Sequence, residues 1–180
     1  MRCSLLAAVA VVMSACGPEL ATRVDALGST TFVINAVYGG GGSSGATHRN
    51  DFIELRNVSS AQQSLSGLTL QYASVLGSSW TVTDLTPTMV PSGGYYLVQY
   101  GSGGSQGAPL PSADATNSSQ IAISDFKVAL VTGNTPLSGD CPRSNAAALA
   151  RIVDFIGAGP TVSCSEMSPA PQPSATTSVA

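Results

Sequence analysis

Charge is what this sequence has least of. Asp, Glu, Lys and Arg make up only 9% of the chain, against roughly 25% in ordinary globular proteins. Lys127 is the single lysine and His48 the single histidine. With a net charge of −3, there is no clustered Lys and Arg footprint of the kind that nucleic acid requires. Anionic membrane surfaces are disfavoured for the same reason. Long apolar runs are missing too. The longest, residues 5–13, falls well short of the roughly 20 residues needed to span a bilayer. Cys-x-x-Cys pairs are absent, and one histidine leaves zinc without a ligand set.

What fills the space is Gly (19 residues), Ser and Thr. With 43% hydrophobic residues, one domain of about 130 to 150 residues can bury an adequate core. A weakly charged surface of small hydroxyls suits a secreted or cell-surface domain.

The clearest strand is Asn50-Asp51-Phe52-Ile53-Glu54-Leu55-Arg56-Asn57. Its alternation sends Phe52, Glu54 and Arg56 to one face and Ile53 and Leu55 to the other. Further strands are predicted at residues 32–38, 68–73, 80–83, 95–100, 120–123, 127–131 and 152–157. Strict alternation places Leu68, Leu70 and Tyr72 inside. Residues 39–45 and 101–107 are glycine-rich and read as flexible loops. Residues 145–151 are the only helix candidate. From residue 168 onward, Pro, Ser and Thr predict a tail without a core. Seven or eight short strands with almost no helix indicate an all-β sandwich.

The N-terminus carries a processing signal: a basic start, a nine-residue apolar run, then Met13-Ser14-Ala15-Cys16-Gly17. That ending resembles the lipobox of bacterial lipoproteins, with Met13 where leucine is usual. The resemblance implies cleavage before Cys16, lipidation of Cys16, and an address at the outer membrane or cell surface, since Gly17 rather than Asp follows. The alternative is an ordinary signal peptide cut near Ala15. With Cys3 removed and Cys16 lipidated, Cys141 and Cys164 remain, and two cysteines in an oxidising compartment read as one disulfide. The expected organisation is signal peptide 1–15, tether 16–30, sandwich 31–166 and tail 167–180.

The ordered blocks Val33-Ile34-Asn35, Asn50-Asp51-Phe52-Ile53-Glu54-Leu55, Leu65-Ser66-Gly67, Ser79-Trp80, Pro91-Ser92-Gly93-Gly94-Tyr95-Tyr96-Leu97-Val98, Asp140-Cys141-Pro142 and Val153-Asp154-Phe155-Ile156-Gly157 resemble the lamin tail domain, above all its bacterial secreted branch. The resemblance runs from about residue 31 to residue 180. It implies an immunoglobulin-like β-sandwich serving as an interaction module. Bacterial members often stand beside nuclease or other hydrolase domains or are attached to the cell envelope. Ala36 departs from the family's frequent Glu.

Motifs that spell catalysis lack its context. Gly41-x-Ser43-x-Gly45 and Gly103-x-Ser105-x-Gly107 match the serine-hydrolase elbow, but neither loop leads into a helix. Gly40-x-Gly42-x-x-Gly45 spells a dinucleotide fingerprint, yet a strand follows where a helix must hold the pyrophosphate. Asp51 and Glu54 fall on opposite strand faces, so they are not a catalytic carboxylate pair. Trp80, Tyr72 and Tyr96 read first as core and second as an aromatic ligand platform. Asn50, Asp51, Glu54, Arg56 and Asp84 are the binding candidates. No cofactor is expected; the alternative is Ca²⁺ held by Asn50, Asp51 and Asp84 if they meet at one sandwich edge. The reading is a non-catalytic, lipid-anchored envelope module that binds a protein or polysaccharide, without direct nucleic-acid contact. An accessory domain acting with a separate nuclease or hydrolase is second, and a minimal hydrolase using Ser43 and His48 is third.

Overall fold

A computed structural model describes residues 28–179. Two four-stranded sheets face each other. The first runs in the order β1 (Phe32–Tyr38), β2 (Phe52–Asn57), β7 (Tyr95–Gln99), β8 (Ala115–Thr116). The second runs β10 (Ile152–Ala158), β9 (Phe126–Thr132), β4 (Leu68–Ser74), β5 (Thr81–Asp84). All neighbours are antiparallel except β7 and β8. A two-stranded ribbon, β3 (Gln63–Ser64) with β6 (Met89–Val90), stands apart from both.

The strand of residues 52–57 becomes the second strand of its sheet, paired on both sides. Ile53 and Leu55 point into the main core with Ile34, Tyr96 and Val98, while Glu54 and Arg56 face outward. From the second sheet, Leu70, Phe126, Val128 and Leu130 complete that core, with Leu68 and Tyr72 packed against it. The inside set predicted for β4 is therefore correct.

The other side of the second sheet is buried as well. Ala73, Trp80, Ala129, Val131, Leu137, Ile152 and Phe155 form a second core beneath residues 133–150, with Cys164 among them. That covering segment contains a 3-10 turn (Pro142–Ser144) and a single helical turn, α1 (Ala146–Leu149), capped by the Asn145 side chain accepting from Ala148 N. Gln71 is buried in the middle of β4 and holds this cover. Its amide donates to the Thr135 carbonyl at 3.2 Å and accepts from Leu137 N at 2.7 Å. A strand covered on both faces loses its alternation, which is why β9 reads as nearly continuous burial.

Three expectations fail for identifiable reasons. Residues 120–123 form no strand, because Ile121 N donates to the Asp51 carboxylate and Ala122 N to the Tyr72 hydroxyl instead of to a strand backbone, although Ile121 is buried. Residues 39–42 are buried rather than loose. A Cβ on Gly41 would collide with the backbone of Asn50 and Asp51, and one on Gly101 would sit 2.7 Å from the Ser118 carbonyl. Here glycine allows backbones to touch. The tail also packs: Val179 is buried and pairs with Val37 in both directions, N to O at 2.7 and 3.0 Å.

Candidate binding surface

Register brings the outward residues of β2 and β7 together. Arg56 stands opposite Tyr95 and Glu54 opposite Leu97, and Val33 of β1 lies beside Arg56 on its other flank. The Arg56 guanidinium sits over the Tyr95 ring, 5.6 Å from its centroid. Tyr95, the first residue of β7, is 53% exposed. Glu54 accepts from Asn35 Nδ2 at 2.6 Å, Asn35 lying at the β-bulge of β1. The result is a flat patch with one aromatic ring, one cation, one hydrogen-bonded carboxylate and Leu97.

At the opposite end of this face the sheet is covered. Tyr38 stacks on Phe52 with centroids 5.4 Å apart, and the His48 ring stands edge-on to both. His48 Nδ1 is buried without a hydrogen-bond partner among the described residues. The ring is packed between aromatics, which favours an apolar role over the base of a hydrolase.

The remaining candidates have structural roles. Asp51 is buried beside the loops, and its two carboxylate oxygens accept from Gly41 N at 2.7 Å and Ile121 N at 2.9 Å. Burial raises its pKa above the ordinary carboxylate value, against the lowering effect of the two backbone N–H groups. Asn50 Nδ2 donates to the Tyr100 carbonyl at 3.1 Å. Asp84 ends β5 in the second sheet, beside a small cleft that also involves Thr69 and Asn134. Asp51 thus spends both oxygens on backbone groups, and Asp84 belongs to the other sheet. Among the described residues no group of three or more His, Cys, Asp or Glu side chains is placed to hold a metal ion. Trp80 and Tyr96 are core residues: Trp80 Nε1 donates to the Gly139 carbonyl at 3.1 Å and the Tyr96 hydroxyl accepts from Thr86 N at 2.9 Å. Cys16 lies outside the described residues.

Cys141 and Cys164 are joined by a disulfide. Beside it lies a group that sequence reasoning missed. Lys127 is fully buried in β9, yet its ammonium donates to the carbonyls of Gly77 (3.0 Å) and Asp140 (2.8 Å) and to Asp140 Oδ1 (2.6 Å) and Ser163 Oγ (3.2 Å). It also lies 5.9 Å from the centre of the Trp80 ring. The Lys127 ammonium, with Ser163 assisting, holds the Asp140 carboxyl below its ordinary value. Asp140 and Ser163 each precede a disulfide cysteine, so cation and disulfide clasp the same two loops. The only available signal was a lone Lys within an apolar strand.

Asp154 is the second buried acid that sequence reasoning did not single out. Its Oδ2 accepts from Ile34 N at 2.6 Å, joining β10 to β1 across the sandwich seam. Burial raises its pKa, opposed by hydrogen bonds from Ile34 and Phe155.

The family model of the Lamin Tail Domain matches residues 28–149. The chain belongs to the lamin tail domain family. The match spans β1 to α1, so every strand of the sandwich except β10, the exposed Arg56 and Tyr95 pair and the first disulfide cysteine fall inside it, while β10 and Cys164 lie beyond. No curated protein matches the chain. Lamin tail domains are in general non-enzymatic immunoglobulin-like modules.

Proposed function

We propose that this lamin tail domain is a non-catalytic binding module, anchored by a lipid on Cys16 at the bacterial outer membrane or cell surface, that takes a protein or polysaccharide partner on the outward face of its first sheet. The observation that carries the reading is the half-exposed Tyr95 under the Arg56 guanidinium. Tyr and Arg are the residue types that most often anchor interfaces, because each offers a rigid, amphipathic surface at little entropic expense. The patch lies on paired strands rather than loops, so its geometry is preorganised. Export is supported by the disulfide, which belongs to oxidising compartments.

The test is crosslinking in intact envelopes of cells expressing the full chain. Arg56→Ala combined with Tyr95→Ala should abolish the partner crosslink seen with the wild type while leaving the melting temperature within a few degrees. An unchanged crosslink pattern would refute the assignment of this face. For the anchor, Cys16→Ser should move the protein from the membrane fraction to the soluble one; retention in the membrane would remove the lipid.

A further inference from the structure

The free edges of β1 and β10 face each other across the seam of the sandwich, where Asp154 reaches Ile34 N. Residues 168–179 lie along this seam. Ala170 pairs with β10, its N donating to the Gly157 carbonyl at 2.8 Å and its carbonyl accepting from Gly159 N at 3.0 Å. Val179 pairs with Val37 of β1. Between them, the Ala175 carbonyl accepts from Thr47 N at 3.0 Å and from the Tyr38 hydroxyl at 2.5 Å. Pro173 and Val179 are buried, while Pro171, Gln172, Thr176 and Thr177 face solvent.

This is how a peptide ligand binds a sheet edge: main-chain pairing at separated points, with small apolar anchors between solvent-facing residues. The receiving surface is shaped for it. A Cβ on Gly40 would lie 2.6 Å from Ala175 Cα and 2.8 Å from the Ser174 carbonyl, so glycine is what lets the segment approach. The segment carries no charged side chain, in keeping with a groove floor that holds a buried carboxyl. The seam is also incompletely filled: a cleft of about 460 Å³ remains between Ser168, Ala170, Val33, Ile34 and Phe155.

We propose that the β1–β10 seam is a peptide-binding groove for an extended, uncharged, proline-containing segment, and that residues 168–179 occupy it in cis as a displaceable stand-in for such a partner. A tethered segment competes at an effective concentration of the order of millimolar, so a free peptide binds the wild type only weakly until the tail is loosened. The groove meets the Arg56 and Tyr95 face only at Val33, and its test alters neither Arg56 nor Tyr95, so either assignment can fail without the other.

The probe is a fluorescein-labelled peptide of residues 168–179, titrated by anisotropy into the full-length protein. Val179→Asp removes the buried anchor from the tethered copy only and should tighten peptide binding roughly tenfold or more, because the competent fraction rises. Adding Gly40→Ala to that variant should abolish the gain by blocking the shared site. Near-UV circular dichroism of Trp80 and light scattering accompany each titration. A folded, monomeric Val179→Asp protein that binds no better than wild type overturns the proposal. So does loss of the Trp80 signal in Val179→Asp, which would make the segment core, and so does a tail-exchanged dimer that excludes the peptide.

Discussion

Asp154 and Lys127 show how two buried charges are handled by one small fold. Lys127 is surrounded by four oxygen contacts and an aromatic face, which replace the hydration a buried ammonium loses. Asp154 is held by backbone N–H groups, and desolvation outweighs them, so its folded-state pKa lies above the unfolded one. The sign follows from linkage. The native state holds the proton more tightly than the unfolded chain, so this group's contribution to stability falls as pH rises from the unfolded pKa through the folded one. Asp140, with its lowered pKa, has the opposite trend, its contribution being lost as pH falls. Asp154→Asn should therefore gain stability relative to the wild type as pH rises above the ordinary carboxylate value of about 4, levelling off once the native carboxyl has ionised, whatever its offset. Melting curves of the pair across that range check this; parallel curves would show that Asp154 is not desolvated. None of these environments was legible in sequence, since a strand pattern records side-chain polarity but not which of its two faces is covered.

At the scale of elements, the strands were the most legible part and the loops the least. Alternation marks β2, β4 and β7 because each sends large apolar residues to the main core. It fails in β10, where a bulge between Ile152 and Asp154 lets Ile152 and Phe155, three residues apart, enter the same second core. Bulges shift facing by one residue and leave no local signature in composition. The glycine-rich residues 39–45 mislead in the other direction, since a run of glycine suits both a loose linker and a site of close backbone approach. Gly41→Ala should destabilise by about 1–3 kcal/mol or more, since its new methyl group meets the backbone of Asn50 and Asp51, which cannot rotate away. Gly45→Ala, with open space around it but a φ of 76°, should lose only about 1–2 kcal/mol through the left-handed conformation. Urea midpoints of the two variants distinguish steric from conformational glycine; equal losses would mean that the packed loop yields.

For the whole molecule, the second core changes what the disulfide does. Cys141 and Cys164 are 23 residues apart, so the bond closes a loop of modest length, a constraint amounting to roughly 3 kcal/mol. The closed loop contains α1 and all of β10, and the cysteines lie beside Lys127 and the cover over Trp80 and Phe155. Replacing both cysteines by serine should lower the melting temperature by about 6–12 °C and should shift Trp80 fluorescence to the red. A melting temperature unchanged by the double substitution would show that the cover holds without its clasp.

The sequence by itself determined the all-β class, the facing of the central strands and the pairing of Cys141 with Cys164, because strand periodicity and cysteine arithmetic are local or countable. Its ordered blocks also identified the lamin tail domain. Tertiary structure alone decided that Asp51 is a loop clamp, that Arg56 and Tyr95 form one exposed pair, that the glycine loops are packed and that residues 168–179 line a seam. Each of those depends on a neighbour from a distant part of the chain, and the distance between strands in space is not written in the residues of either one.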